Sequence, residues 1–466
     1  SEVRSLLASD WIERKHDPVG LADYLRYQTV HAPRTIVKGV SLLPAGHWMR
    51  LQGEETETGR WWNPAASATP SVRSRKEELA RIHEALSRSV ELRLRSDVPL
   101  GAFLSGGIDS SAIVGLMKQA TEQRISTFSV TFNEGEFDES PYSRLIAERF
   151  DTDHHEIRLT LDAFLEEVPA ALEAMDHPSG DGPNTYVVSK ATKAAGITVA
   201  LSGLGGDELF AGYPVFQRTK AFWDQRWLGS WPKGLRKLAG GAYAAYKKDI
   251  TAYKKAEALA GDYFDLLHTY PLSRQVFLER DIRRLAPGLA DHPNAVYNHL
   301  LEELGPKSRG EKLPTLGQVS IAEMGTYMQH TLLRDTDQMS MAHALEVRVP
   351  FLDHNVVAAA LSISDEDKWP HSPKQLLTDA LPELLPRKVI DRPKMGFTLP
   401  WEVWMRTALK PMCEEGLEVL SELGAFAEQE VQSIWNAFIQ GSPRWSFSRV
   451  WSLVVLGHWM KQNRIA

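Results

Sequence analysis

Residues 103–112 read FLSGGIDSSA, and the side-chain types gathered there suit the binding of an anion. Gly106 and Gly107 let a backbone approach a ligand closely. A helix starting just after them would aim unpaired N–H groups and the positive end of its dipole at that ligand. The hydroxyls of Ser105, Ser110 and Ser111 add donors. The stretch is neither G-x-x-x-x-G-K-[ST], since no lysine follows, nor G-x-G-x-x-G. Asp109 sets it apart, because a carboxylate beside phosphates repels them unless a divalent cation lies between. The expected ligand is therefore magnesium pyrophosphate. A second stretch, ITVALSGLGGDELFAGY (197–213), repeats the plan: a strand, then Gly203, Gly205 and Gly206, then Asp207 and Glu208. Alone, GLGGDE is as much a tight structural turn as a site. Two such corners on one edge of a parallel sheet would put Asp109 and Asp207 around one shared Mg²⁺.

The elements that must hold these residues show as a change of rhythm along the chain. Residues 1–62 read as a helix-turn segment followed by short strands, TIVKGVSLLPAGHWMRLQ alternating around a Pro-Ala-Gly turn. A Pro-, Ala- and Ser-rich linker follows over 63–76. Then Leu79, Ile82, Leu86 and Val90 predict a helix, 98–104 a buried strand, 110–120 a helix and 125–132 a strand. Ser140-Pro141 predicts the start of a helix running to Phe150. HHEIRLTL is a strand, helices follow at 162–175 and 185–195, and ITVALS (197–202) is a further strand. This alternation implies an α/β fold, a doubly wound parallel sheet with ligands at the carboxyl ends of its strands. Beyond about residue 208 strand patterns almost vanish. The domain over 77–466 is thus expected to combine a sheet core (about 77–215) with a large helical extension (about 216–466).

The bulk numbers exclude several classes. With 466 residues, 43% hydrophobic and 24% charged, the chain reads as an ordinary globular protein of two or three domains. A net charge of −7 argues against a nucleic-acid binder. The single cysteine, Cys413, rules out an intrachain disulfide and fits a reducing compartment. No signal pattern opens the sequence and no apolar run nears the roughly 20 residues of a membrane helix, so a cytoplasmic protein is expected. DTDHHE (151–156) carries metal-capable side chains, but strand neighbours point to opposite faces, so no ligand cluster is expected. The basic, aromatic tract WPKGLRKLAGGAYAAYKKDITAYKK (231–255) fits a solvated helical hairpin, with a membrane surface or an acidic partner as the alternative.

SGGIDSS resembles the pyrophosphate loop of N-type ATP pyrophosphatases. Together with SVTFNEGEFDES, LSGLGGDELFAGY, LLRDTDQMSMAHALEVRVPFLD and DRPKMGFTLP, it makes residues 75–466 similar to the synthetase half of the asparagine synthase family. That family's relatives include β-lactam synthetases, lasso-peptide cyclases and amidotransferases of surface-polysaccharide clusters. Residues 1–62 resemble the closing segment of the glutaminase domain that precedes this half. The resemblance implies a sheet of the adenine-nucleotide α-hydrolase (HUP) type with a partial N-terminal glutaminase-type β remnant. It also implies a reaction: ATP with Mg²⁺ activates a carboxylate as an acyl-adenylate, an amine attacks, and AMP and pyrophosphate leave. On this resemblance Ser105, Gly106, Gly107, Asp109, Ser110 and Ser111 hold the pyrophosphate, and Asp109 and Asp207 carry Mg²⁺. Phe103, Val130 and Gly203 line the adenine. Lys394 stabilises developing oxyanion charge, and Lys374 is a second phosphate contact. Asp337, Glu346 and Arg348 are expected to form a buried ion network that shapes the pocket.

Two departures from the family pattern bear on substrate. The cysteine nucleophile that opens the family's glutaminase has no counterpart in residues 1–62. Nitrogen is therefore expected from a separate glutaminase part or chain, or as free ammonia or another amine. Second, Leu204 stands where asparagine synthetases have glutamate and β-lactam synthetases a catalytic tyrosine. Leucine neither accepts a proton nor binds an ammonium, so a carboxylate other than aspartate, on a sugar, peptide or secondary metabolite, fits as well. Glu208 is the alternative base, its place at a helix start suiting an ion or cap role equally. Thiolation of a nucleobase and a degenerate nucleotide-binding subunit are the rival readings, and a homodimer stays open.

Overall fold

The computed structural model describes residues 2–132, 139–306, 308, 312–392 and 399–466. Two short helices, α1 (Val3–Ala8) and α2 (Pro18–Tyr27), precede an antiparallel hairpin of β1 (His47–Gln52) and β2 (Glu55–Arg60). A helical turn, α3 (Pro64–Ser67), leads to α4 (Arg75–Arg93). Next come β3 (Leu100–Phe103), α5 (Ile108–Ala120), β4 (Ser126–Phe132), α6 (Ser140–Phe150), β5 (Asp153–Leu159), α7 (Leu161–Ala174), α8 (Gly182–Ala194), β6 (Val199–Leu201) and α9 (Gly206–Leu209). The chain continues through α10 (Pro214–Asp224), α11 (Lys233–Lys247) and α12 (Ile250–Ala260) into further helices that end with Phe447–Asn463. One more strand, β7 (Glu346–Arg348), lies among them.

Local chemistry explains these boundaries. Helix α4 starts at Ser74, whose side chain accepts from the Glu77 N–H while Glu77 reaches back, and it buries Ile82, Leu86 and Val90 at helical spacing. Burial of each such aliphatic side chain stabilises by roughly 1.5–3 kcal/mol. Helix α8 stops before Gly196, which takes a φ of +90°.

The large sheet has the order β5-β4-β3-β6-β7, and every neighbouring pair is parallel. The chain runs outward from β3 to β5, then returns to place β6 on the other side of β3. That reversal makes a switch point between β3 and β6, where open α/β sheets form their ligand crevice. One buried cluster joins Ala102, Leu104 and Leu201 to α4 and α5, while a second joins α7 to the N-terminal helices and to Phe447–Asn463.

Three expectations need correction. The stretch 35–52 predicts short strands around its Pro-Ala-Gly turn, but only His47–Gln52 becomes one; Ile36, Val37 and Val40 are buried in a core shared with helices instead. The sheet does not end near residue 215, since β7 pairs with β6. A three-residue edge strand is too short to show a period in sequence. The expected network of Asp337, Glu346 and Arg348 does not form. Arg348 pairs with an exposed Glu346 at 2.7 Å and donates to the Arg93 and Arg95 carbonyls, while Asp337 lies on the separate helix Leu333–Met341.

In β5, His154 lies within hydrogen-bonding distance of Thr127 (2.9 Å) and Ser129 (3.2 Å), while His155 stacks on the Phe128 ring on the opposite side. Among the described residues no helix is long and apolar enough to cross a membrane.

Candidate active site

The first glycine corner joins β3 to α5. Gly106 has a φ of +68°, and a Cβ there would lie 2.5 Å from the Tyr142 backbone, so no other residue fits without displacing α6. Around it Ser105 Oγ meets Ser110 Oγ at 3.1 Å, the Gly107 N–H donates to Ser105 Oγ at 3.3 Å, and Ser110 Oγ donates to the Gly107 carbonyl. Ser111 is fully buried and its Oγ has no hydrogen-bond partner among the described residues. The corner thus presents hydroxyls and the amino end of a 13-residue helix at the mouth of the sheet.

The second corner joins β6 to the short α9. Gly203 and Gly206 are required by the first corner: a Cβ on Gly203 would sit 2.9 Å from both Asp109 Cβ and the Ser110 nitrogen, and one on Gly206 would collide with the Asp109 carboxylate. The two loops therefore pack directly on each other across the switch point. Lys374 closes the arrangement. Its backbone takes a φ of +60° and donates to the Phe210 carbonyl, and its Nζ lies 2.5 Å from Asp109 Oδ2 and 2.6 Å from Asp207 Oδ1. Burial alone would lower the Lys374 pKa, but the two carboxylates outweigh it and hold the ammonium above its ordinary value.

Glu208 is buried beside this cluster. Burial, and after it the charge of Asp207, pushes its carboxyl up to about 8, and it shares a hydrogen bond with Tyr213. Both effects favour its protonated form.

A cavity of about 310 Å³ begins at the same strand ends, where Phe103, Ser202 and Leu204 line it. Its far wall carries Asp181, Asn184, Leu332 and Asp335. Asn184 Oδ1 is buried there with no hydrogen-bond partner among the described residues. Burial pushes Asp335 up to about 7, although Ser179 and Gln338 donate to it at 2.5 and 2.9 Å. Val130 sits on β4 outside this lining. A second cavity, about 350 Å³, lies under the β1–β2 hairpin, lined among others by His47, Trp62, His299 and Leu352.

The structure thus brings Ser105, Gly106, Gly107, Asp109, Ser110, Ser111, Gly203, Asp207, Glu208 and Lys374 into one locus. Lys394 lies outside the described residues. Sequence reasoning missed Arg392, two positions earlier in the same motif. Its guanidinium stacks over Tyr142 and pairs with Glu139 at 2.7 Å. Nη2 would lie 3.8 Å from a Cβ on Gly107, and Nη1 is buried with no hydrogen-bond partner among the described residues. Asp181, Asn184 and Leu332 were also missed, because nothing in their local pattern separates a cavity wall from a helix face. Among the described residues no group of three or more His, Cys, Asp or Glu is arranged to hold a metal.

The asparagine synthase family profile matches residues 81–461. The chain belongs to the asparagine synthase family. Residues 1–62 match the glutamine amidotransferase domain. "Asparagine synthetase [glutamine-hydrolyzing] 1" of Bacillus subtilis is 28% identical over 414 residues, covering 88% of this chain and 63% of the relative. A putative asparagine synthetase of Methanocaldococcus jannaschii is 34% identical over 220 residues, 46% of this chain and 42% of the relative. "Amidase chry2" of Gibberella zeae is 25% identical over 412 residues, 79% of this chain and 60% of the relative. The chain thus spans about three fifths of the length of the curated asparagine synthetase from Bacillus subtilis.

Proposed function

We propose that residues 77–466 form the synthetase part of an amide ligase that activates a carboxylate with Mg-ATP as an acyl-adenylate. Ammonia or another amine then attacks the acyl carbon and AMP leaves, pyrophosphate having left at activation. The observation that carries this reading is the convergence of Asp109 and Asp207 on one cation, the Lys374 ammonium, between two glycine corners at the sheet's switch point. Membership of the asparagine synthase family supports ATP-dependent amide formation in general.

The donor set fits Mg²⁺, which binds through one or two carboxylates and completes its shell with substrate phosphates and water. When bound, the ion would offset charge building on the departing pyrophosphate. The chain's own residues do the rest. Ser105, Ser110, Ser111 and the α5 amino end bind the pyrophosphate oxygens. Lys374 holds the acidic pair at a net charge of −1 instead of −2, so the loop does not expel an anion. Arg392 supplies a further cation at Gly107. The backbone around Phe103, Val130 and Gly203 would line the adenine, and the family motif assigns Lys394 the stabilisation of developing oxyanion charge. Glu208 accepts the amine's proton in its ionised form, and its raised pKa makes the resulting carboxylic acid the favoured state.

Leu204 on the cavity wall offers no partner to the ammonium of aspartate, so a carboxylate borne by a sugar, peptide or secondary metabolite fits the site as well. The match of residues 1–62 to a glutamine amidotransferase domain supports ammonia from a glutaminase part as the nitrogen source. A second reading, a nucleotide-binding subunit without turnover, rests on Leu204 alone. Incubation with ATP, Mg²⁺, ammonium and a panel of carboxylic acids should yield AMP and pyrophosphate. ADP and phosphate would rule out the mechanism, and calorimetric ATP binding without turnover on any acid would favour the second reading. Asp109→Asn should abolish turnover.

A further inference from the structure

Helix α11 is amphipathic in the wrong sense for a helix covering a core. The residues it buries against α12 are Arg236, Gly240 and Ala244, spaced i, i+4, i+8. Arg236 belongs to the clamp, donating to the Trp231, Leu259 and Gly261 carbonyls and lying over the Phe264 ring. The opposite face carries Leu235, Leu238, Ala239, Ala242, Ala245 and Tyr246, all exposed, with Leu238 at 71% and Tyr246 at 80%. A solvated hairpin would place its polar residues there. Exposed Trp227 and Trp231 pack edge to face beside the start of this helix, and exposed Tyr263 lies just beyond α12. The apolar face is thus continuous with a rim of aromatics that have an apolar body and a polar tip.

Charge decides what would cover it. Residues 231–248 hold Lys233, Arg236, Lys237, Lys247 and Lys248 and no acid, in a chain whose net charge is −7. Arg236 and Lys233 are engaged internally, the latter with Asp262 at 2.6 Å, whereas Lys237, Lys247 and Lys248 are exposed along the helix and at its end. A second copy of this chain would bring the same cations against themselves. An anionic surface would not, and long lysine stems reach past an apolar face to headgroups.

We propose that α11, with Trp227 and Trp231, docks this protein on an anionic lipid bilayer surface, lying in the plane of the interface. Leucines and aromatics would enter the headgroup boundary and lysines would meet lipid phosphates. The binding is peripheral, since no described helix is long and apolar enough to span.

The test is co-sedimentation of the full chain with vesicles of phosphatidylcholine alone or mixed with phosphatidylglycerol. Pelleting is expected with the mixed vesicles and not with the neutral ones, and it should weaken with salt. Leu235→Ser with Leu238→Ser should lower partitioning about tenfold or more, as should Lys237→Glu with Lys247→Glu. These residues are exposed, so melting temperatures near wild type will show that the variants are folded. Failure of the wild type to pellet with mixed vesicles, or pelleting unchanged in both variants, overturns the proposal. So does a lipid-free dimer in sedimentation velocity that the leucine variant dissociates, because the face would then belong to a second copy.

Discussion

Replacing Lys374 by methionine keeps most of the side chain's volume and removes the charge between Asp109 and Asp207. Lys374 is only 8% exposed and both carboxylates are largely covered, so water replaces little of what is lost. The cluster goes from −1 to −2. Breaking a buried ion pair by deleting one partner costs about 3–5 kcal/mol, because the remaining charge is left uncompensated. With an unfolding entropy near 2.1 cal/mol/K per residue, a cooperative unit of this size loses about 1 °C for each kcal/mol, so the expected drop in Tm is about 3–5 °C. Adding Mg²⁺ should recover much of that drop in Lys374→Met and shift the wild type far less, since the divalent ion can stand between the same two oxygens. Adding Asp207→Asn to Lys374→Met removes the repulsion between the two acids but leaves Asp109 without its ammonium, so it should recover only part of the lost stability and none of the Mg²⁺ response. Calorimetric melting with and without Mg²⁺ reads all three. A Lys374→Met variant with unchanged Tm, or one that Mg²⁺ does not rescue, would refute the argument that these carboxylates form a cation site.

Gly206→Ala should cut ATP affinity at least about tenfold by calorimetry, since its Cβ falls on the Asp109 carboxylate and displaces one of the two acids by van der Waals contact. Arg392→Gln should weaken inorganic pyrophosphate binding by about 1.5–3 kcal/mol, the range for a hydrogen bond to a charged group, with wild-type affinity as the contrary result. Glu208 has a pKa raised above its unfolded value, so its contribution to stability is complete below the ordinary glutamate range and falls as pH rises to about 8. Glu208→Gln should therefore lose a stability slope of roughly 1.4 kcal/mol per pH unit between about pH 5 and 8. Parallel melting curves for the variant and wild type across that interval would show that Glu208 is ionised in the folded protein.

Much of the catalytic half was legible because its chemistry is local. A glycine pair at a strand-to-helix corner followed by an acid is fixed by backbone geometry within a few residues, as SGGIDSS and GLGGDE show, the first with hydroxyls beside its acid. The strand-helix alternation over 77–202 was equally readable, since each element carries its own period. Other features depend on residues far apart in the chain, and no local pattern encodes them. The three-residue β7 joins the sheet only because β6 offers an edge. Ile36, Val37 and Val40 lie in a stretch that reads as strand yet become part of a core shared with helices at both ends of the chain.

The sequence by itself determined that two acidic glycine corners exist and that each ends a strand, because conformational freedom and hydrogen bonding act over a few residues. Only the tertiary structure decided that Gly203 and Gly206 are small so that Asp109 can lie against them, and that Lys374, 265 residues along the chain from Asp109, supplies the charge between the acids. It also decided that the apolar side of α11 faces solvent. Those outcomes are set by packing and by Coulomb forces between groups that share no segment of chain.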